Sequence, residues 1–273
     1  MADKRLTPAR PDLAAAHLKG QVEAARFVEG ETCSVIRGRT SLRARPSDGA
    51  PQDSELLRGE SVAVYERNNG WAWVQAETDS YVGYVHEAAL GPAAAVDARV
   101  ILPLTPLLSA PDATSPLCDL LPLNAQVARG QPGGNFIEVP GGFVHARALA
   151  PLARTATDFV AVAEQFLGVP YVWGGKSFQG LDCSGLIQIS LQAAGVSAPR
   201  DTDMMEQLLG QAVPGEKMKR GDLVFWKGHV GVMRDGETLL HANATYMQVT
   251  SEPLAAAVER IAKPVTTIKR IEG

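Results

Sequence analysis

The chain has 273 residues, of which 45% are apolar and 21% charged, and a net charge of −4 at neutral pH. That length gives room for two or three compact units, each able to bury a core. The mild acidity and the lack of a long basic run exclude nucleic acid as a main partner, and no apolar run approaches the about 18 residues of a membrane span.

The first twelve residues, Met1 to Asp12, lack the apolar core of a signal peptide. Cys33, Cys118 and Cys183 are odd in number, widely spaced and in no CxxC pair, which suits free thiols in a reducing compartment. Both observations predict a cytoplasmic protein. From Asp12 to Glu29, Leu13, Ala16, Gly20 and Ala24 fall near helical spacing, with Val22 and Phe27 adding apolar surface. This predicts a short amphipathic helix ended by Gly30.

From about residue 35 the pattern becomes short strands and turns: Val62-Ala-Val-Tyr65 alternates, Asn68-Asn-Gly70 signals a turn, and Trp71-Ala-Trp-Val74 reads as the next strand. The segment then repeats. At a shift of 65 residues, Ile36 matches Ile101, Leu42 matches Leu107, Pro46 matches Pro111, Leu56 matches Leu121, Val62 matches Val127 and Val74 matches Val139. The shift then drops to 59, where Gly83-Tyr-Val-His-Glu-Ala-Ala-Leu90 matches Gly142-Phe-Val-His-Ala-Arg-Ala-Leu149. Two copies of short strands predict two small β-barrels. His86 and His145 hold one repeated place, which favours strand-end packing over a site.

After residue 154 the composition changes. Thr157 is placed to cap a helix running through Phe159, Val162, Phe166 and Leu167, which Gly168 and Pro170 stop. A glycine-containing loop then leads into Gly180-Leu-Asp-Cys-Ser-Gly-Leu-Ile187, which puts Cys183 at the start of an apolar, helix-like run. Unpaired N–H groups and the helix dipole at that end favour thiolate over thiol. Strands follow over Asp222–Trp226, His229–Met233, Thr238–Ala242 and Val265–Lys269, so the unit reads as α+β. A cysteine followed by two histidines, His229 and His241, on strands joined by an Asp235-Gly236 turn fits a nucleophile, its base and a residue that orients the base. Zinc binding by the same three side chains lacks CxxC or HExxH spacing, and neither metal nor cofactor is expected. Cys33 and Cys118 read as inert, Trp173 and Trp226 as core or cleft wall, and Asp222 as a turn-fixing residue.

Leu42-Arg43-x-x-Pro46, Gly59-Glu60-x-Val62, Gly70-Trp71-x-x-Val74 and Gly83-Tyr84-Val85 resemble the bacterial SH3 domain, the second copy being divergent. Pro170-Tyr171-Val-Trp-Gly-Gly175, Asp182-Cys183-Ser184-Gly185-Leu186, Pro199-Arg200-Asp201, Gly221-Asp222-Leu223, His229-Val-Gly231-Val232 and His241-Ala242 resemble the NlpC/P60 family of papain-like cysteine peptidases. The combination resembles the γ-D-glutamyl-L-diamino acid endopeptidases that recycle wall peptides. The organisation implied is an N-terminal helical segment (1–32), two SH3-like barrels (33–92 and 93–153) and an α+β papain-like catalytic domain (154–273).

The resemblance implies Cys183 as nucleophile, His229 as base, His241 as the residue holding the His229 ring, and the Tyr171 hydroxyl beside the Cys183 N–H as oxyanion donors. It further implies a murein peptide substrate with a free N-terminal L-alanine, its amine held by Asp182 together with Tyr81 and an acidic residue of the first barrel. That acidic residue is one of Asp53, Asp48 and Glu55, since the subgroup's usual glutamate position falls near Ala50-Pro51, where this chain departs from the pattern. Ser184, Asp201 and Thr202 are the remaining expected cleft residues. An exported wall hydrolase that uses the barrels to hold peptidoglycan, and a non-enzymatic wall-binding scaffold, are the competing readings.

Overall fold

The computed structural model describes residues 3–215 and 218–271, which divide into two compact units, Met1–Leu152 and Ala153–Gly273. Each is described by itself.

The first unit is almost wholly strand. It opens with a short parallel pair, β1 (Ala14–Ala15) and β2 (Phe27–Val28), with a single 3-10 turn at Ala16–Leu18 between them. The amphipathic helix expected over 12–29 is therefore absent. Leu13, Ala14 and Ala15 are three consecutive residues with no exposure, a run that one helix face cannot bury. Gly20 then turns the chain through a φ of +83°.

The first barrel is a seven-stranded antiparallel sheet. Its strands are β3 (Glu31–Val35), β4 (Arg39–Arg43), β5 (Gln52–Leu57), β6 (Ser61–Asn68), β7 (Trp71–Ala76), β8 (Val82–His86) and β9 (Leu90–Pro92), ordered β5-β4-β8-β7-β6-β3-β9. Its core holds Val35, Leu42, Leu56, Val62, Val74 and Val85, the alternate positions of these strands.

The second copy builds a smaller version from two sheets. One joins β13 (Gln126–Val127), β10 (Ala98–Val100) and β17 (Leu149–Pro151). The other orders β12 (Leu117–Pro122), β11 (Leu104–Leu108), β16 (Gly142–His145), β15 (Phe136–Val139) and β14 (Pro132–Gly133). The repeat survives in detail, because Leu107, Leu121, Val127 and Val139 fill the second core as their partners fill the first. His86 and His145 each end a strand before a 3-10 turn, and each packs on an aromatic ring, Trp71 and Phe136 respectively.

The second unit is α+β. Helix α1 (Phe159–Glu164) is shorter than expected and is capped by Asp158 rather than Thr157. The Asp158 carboxylate accepts from the N–H groups of Val160 (2.9 Å) and Ala161 (3.2 Å). A small hairpin, β18 (Lys176–Ser177) and β19 (Gly180–Leu181), leads into α2 (Cys183–Ala193), and α3 (Thr202–Leu208) follows. A six-stranded antiparallel sheet completes the unit. It orders β20 (Gln211–Ala212), β25 (Val265–Arg270), β21 (Asp222–Trp226), β22 (His229–Met233), β23 (Thr238–Asn243) and β24 (Gln248–Pro253). Helix α2 lies against β22 and β23, while Val224, Trp226, Met233 and Leu239 pack with Ala257 of α4 (Leu254–Ile261). Asp222, with no exposure, ties its turn to the last strand by accepting from Lys219 N–H and from the Arg270 guanidinium.

Candidate active site

The site forms where the first turn of α2 meets the start of β22. Asp182 is the N-cap: its Oδ1 accepts from Gly185 N–H at 2.7 Å, and its Oδ2 accepts from Gly174 N–H at 2.8 Å. The loop and the helix can touch because both sides are glycine. A Cβ on Gly185 would stand 2.1 Å from the Gly175 carbonyl oxygen. Arg200 closes the arrangement, giving Nη1 to Asp182 Oδ1 (3.0 Å) and to Ser184 Oγ (2.8 Å), and Nη2 to Asp182 Oδ2 (2.6 Å).

Cys183 is thus held as the first residue of α2, with 7% of its surface exposed. Burial, then the Asp182 carboxylate, push its thiol up to about 12, against the opposing pull of the Val230 and Ser184 N–H groups and of Arg200. The helix start favours the thiolate, and burial works against it. In the closed site desolvation of the anion outweighs the dipole, so the resting group is a thiol that needs a base.

His229 is the candidate for that base. It begins β22 beside Val230, and burial, then the neighbouring His241, bring its pKa down to about 3, so the resting ring is neutral. His229 Nε2 lies 2.8 Å from His241 Nδ1. Glycine at 231 makes this possible, since a Cβ there would lie 3.1 Å from His241 Cβ and 2.8 Å from Leu239 Cδ1. His241 is 1% exposed, and burial lowers its pKa despite Glu252. Its Nε2 lies 2.8 Å from Glu252 Oε1 and 3.2 Å from Asn243 Nδ2.

Tyr171 follows the bridge from Pro170 to Gln248, and its N–H donates to Met247 O at 2.9 Å. Burial, then the electrostatic influence of Cys183 and Asp182, push its phenol up to about 12, which keeps it a hydrogen-bond donor close to Cys183.

The structure therefore brings Tyr171, Asp182, Cys183, Ser184, His229 and His241 together. Asp182 and Ser184, 6% and 5% exposed, hydrogen-bond to one another, and Arg200 donates to both. Asp201 and Thr202 cap and begin α3, both partly exposed. Tyr81 and Asp53 belong to the first unit. Tyr81 is 6% exposed within the first barrel's core and Asp53 is partly exposed on β5. Among the alternatives, Glu55 is buried and paired with Arg39 at 2.7 Å, while exposed Asp48 bonds His86. Trp226 is core, and Trp173 is 67% exposed. Arg200 stood in a recognised motif without a role. Glu252 and Asn243 gave no signal, since β24 (Gln248-Val-Thr-Ser-Glu-Pro253) carries one large apolar residue and no alternation.

Residues 168–266 match the NlpC/P60 family model, and residues 42–90 match the bacterial dipeptidyl-peptidase SH3 domain. A γ-D-glutamyl-L-lysine dipeptidyl-peptidase of Bacillus subtilis is 41% identical over 99 residues, which is 33% of this chain and 33% of that protein. Dipeptidyl-peptidase 6 of Lysinibacillus sphaericus is 36% identical over 86 residues, 32% of each chain. The match thus spans about a third of the length of these curated relatives. A crystal structure of an NlpC/P60 family protein from Bacillus cereus ATCC 10987 superposes with a TM-score of 0.76 at 19% identity, covering 88% of this chain and 99% of that one. At that identity the likeness shows the fold.

Proposed function

We propose that this chain, which carries an NlpC/P60 domain and a bacterial dipeptidyl-peptidase SH3 domain, is a cysteine peptidase acting on peptidoglycan-derived peptides. The reaction we assign is hydrolysis of the γ-D-glutamyl–diamino acid bond of short murein peptides that begin with a free L-alanine. The name of the Bacillus subtilis relative, a γ-D-glutamyl-L-lysine dipeptidyl-peptidase, supports the bond, and the Lysinibacillus sphaericus relative is also named a dipeptidyl-peptidase. The observation that carries the reading is a buried thiol at a helix start that accepts from the Val230 N–H, the next residue in the chain after a neutral imidazole tied at 2.8 Å to a second one.

The chemistry follows from these groups. His229 Nε2 is engaged by His241, which leaves Nδ1 for the Cys183 proton. As that proton moves to Nδ1, the sulfur attacks the γ-carbonyl carbon. The developing oxyanion takes hydrogen bonds from the Tyr171 hydroxyl and from the Cys183 N–H, which has no intrahelical acceptor. His229 then returns the proton to the leaving amine nitrogen of the diamino acid, the C–N bond breaks, and a thioester remains. Water, giving its proton to His229, hydrolyses the thioester and restores the thiol. Three unpaired cysteines suit a reducing compartment, and we place this activity in the cytoplasm, on peptides already released from the wall.

The test is a mass-spectrometric digest of L-Ala-γ-D-Glu-meso-diaminopimelate beside its N-acetylated and muramyl-linked forms, with Cys183→Ala as control. Cleavage of the free-amine peptide alone, lost in the variant, is the expected result. Cleavage of the muramyl-linked form would point to a wall hydrolase instead, and no cleavage of any form would point to a scaffold.

A further inference from the structure

A neutral imidazole carries its proton on one nitrogen or the other, and His229 can serve as a base only while its Nδ1 is bare. The groups beyond His241 decide this. Glu252 lies on β24 across from Leu239, diagonal to His241, and its side chain is 12% exposed. We propose that Glu252 is a positioning residue that fixes the tautomer of both histidine rings and so leaves the Nδ1 of His229 bare to take the Cys183 proton. The inference rests on Cys183 and His229 acting as nucleophile and base.

An ionised carboxylate can only accept, so at 2.8 Å from Glu252 Oε1 the Nε2 of His241 carries its ring's proton. The Nδ1 of that neutral ring is then bare. It can only accept, so the His229 nitrogen at 2.8 Å, Nε2, must donate to it. With its single proton spent there, His229 presents a bare Nδ1. One carboxylate thus orders two rings in series.

A second group pulls the other way. The Asn243 amide is oriented by Tyr246 N–H on its Oδ1 (3.0 Å) and by Thr250 Oγ1 beside its Nδ2 (2.7 Å), which leaves Nδ2 3.2 Å from His241 Nε2. Donation from that amide would demand a bare Nε2, move the His241 proton to Nδ1, turn the next hydrogen bond round, and place a proton on His229 Nδ1. The ring would then face the thiol with a donor and the base would be lost. The carboxylate prevails because it is nearer and charged, and charge-assisted bonds are about twice as strong as neutral ones. Arg260 of α4 holds Glu252 in place: its Nη2 donates to the same Oε1, its Nη1 donates to Thr245 Oγ1 at 3.1 Å, and its guanidinium lies 5.2 Å from the centre of the Tyr246 ring.

The test uses the full chain and reads the ring nitrogens directly. Long-range proton–nitrogen NMR of the Cys183→Ala protein, which needs no turnover, should show protons on Nε2 of both His229 and His241. A proton on His229 Nδ1 in that protein overturns the proposal without any further variant. Glu252→Ala should move the His241 proton to Nδ1 and that of His229 with it, and with Cys183 present should lower kcat by about 10- to 100-fold with KM within about twofold. Glu252→Gln keeps an oxygen that can accept from His241, so it should keep the parent ring state and recover most of kcat. Unchanged ring nitrogens in Glu252→Ala would overturn the proposal even if activity fell, since that fall would be structural. If Cys183→Ala still hydrolyses the peptide, the nucleophile assignment fails, and the ring-nitrogen result separates that failure from this one.

Discussion

Arg200 and Asp182 meet in a two-pronged ion pair, 2.6 and 3.0 Å long, with Arg200 only 1% exposed and Asp182 6% exposed. The pair fixes the start of α2, because the same carboxylate caps the helix and receives the loop through Gly174 N–H. Cys183 is the next residue, so its position is inherited from a buried charge pair.

Replacing Arg200 strands that carboxylate. Arg200→Met should destabilise the second unit by about 3–5 kcal/mol, the usual cost of breaking a buried pair from one side. Arg200→Lys should recover little, since one ammonium cannot reproduce the fork on two oxygens. Urea unfolding of the variants measures this. Adding Asp182→Asn to Arg200→Met should cost much less than the sum of the two single changes, and a strictly additive result would mean that the pair is not coupled.

Stability should fall in acid because of the buried imidazoles. His229 has its pKa brought down from 6.5 to about 3, and that of His241 is lowered as well. The unfolded chain therefore binds protons first as the pH drops. The full stability is present above about 6.5 and is lost as the pH falls toward the folded value, by up to about 1.4 kcal/mol per pH unit for each histidine. Unfolding midpoints from pH 7 to 4 should show a shallower acid slope in His229→Gln than in the parent. Equal slopes would mean that His229 is protonated in the folded protein.

Tyr171→Phe removes a hydroxyl while keeping the ring. As an oxyanion donor its loss should lower kcat by about 100- to 1,000-fold with little change in KM. Steady-state kinetics on the free-amine peptide read this directly. A rise in KM alone would make Tyr171 a binding residue instead.

Much of this architecture was legible from the chain because it rests on local chemistry. The repeat was visible as paired apolar positions, and those residues fill both barrel cores. Cys183, His229 and His241 were visible as candidates because a nucleophile, a base and an orienting residue need particular side chains in a recognisable order. Other features had no local signature. The segment 12–29 has apolar residues near a helical period, but its burial is set by Leu13–Ala15 packing as a continuous run. Glu252 lies on a strand without alternation, and its meaning comes from a cross-strand neighbour eleven residues earlier in the chain. The thiol's resting protonation was not legible, because a helix terminus can be read from sequence whereas the depth at which it is buried cannot.

That last point gives a direct test on the thiol itself. A preformed thiolate–imidazolium pair would alkylate rapidly and evenly from mildly acidic pH upward. Here burial holds the Cys183 thiol up to about 12 while His229 stays neutral above about 3, so the thiolate fraction is small throughout the neutral range and grows tenfold with each pH unit. Iodoacetamide labelling, followed residue by residue by peptide mass spectrometry, should therefore be slow at Cys183 at pH 7 and keep accelerating beyond pH 9. Exposed Cys118 provides the accessible reference in the same molecule. A plateau at Cys183 already by pH 6 would show that the ion pair exists before substrate arrives, and that proton transfer to His229 is not coupled to the attack on the carbonyl carbon.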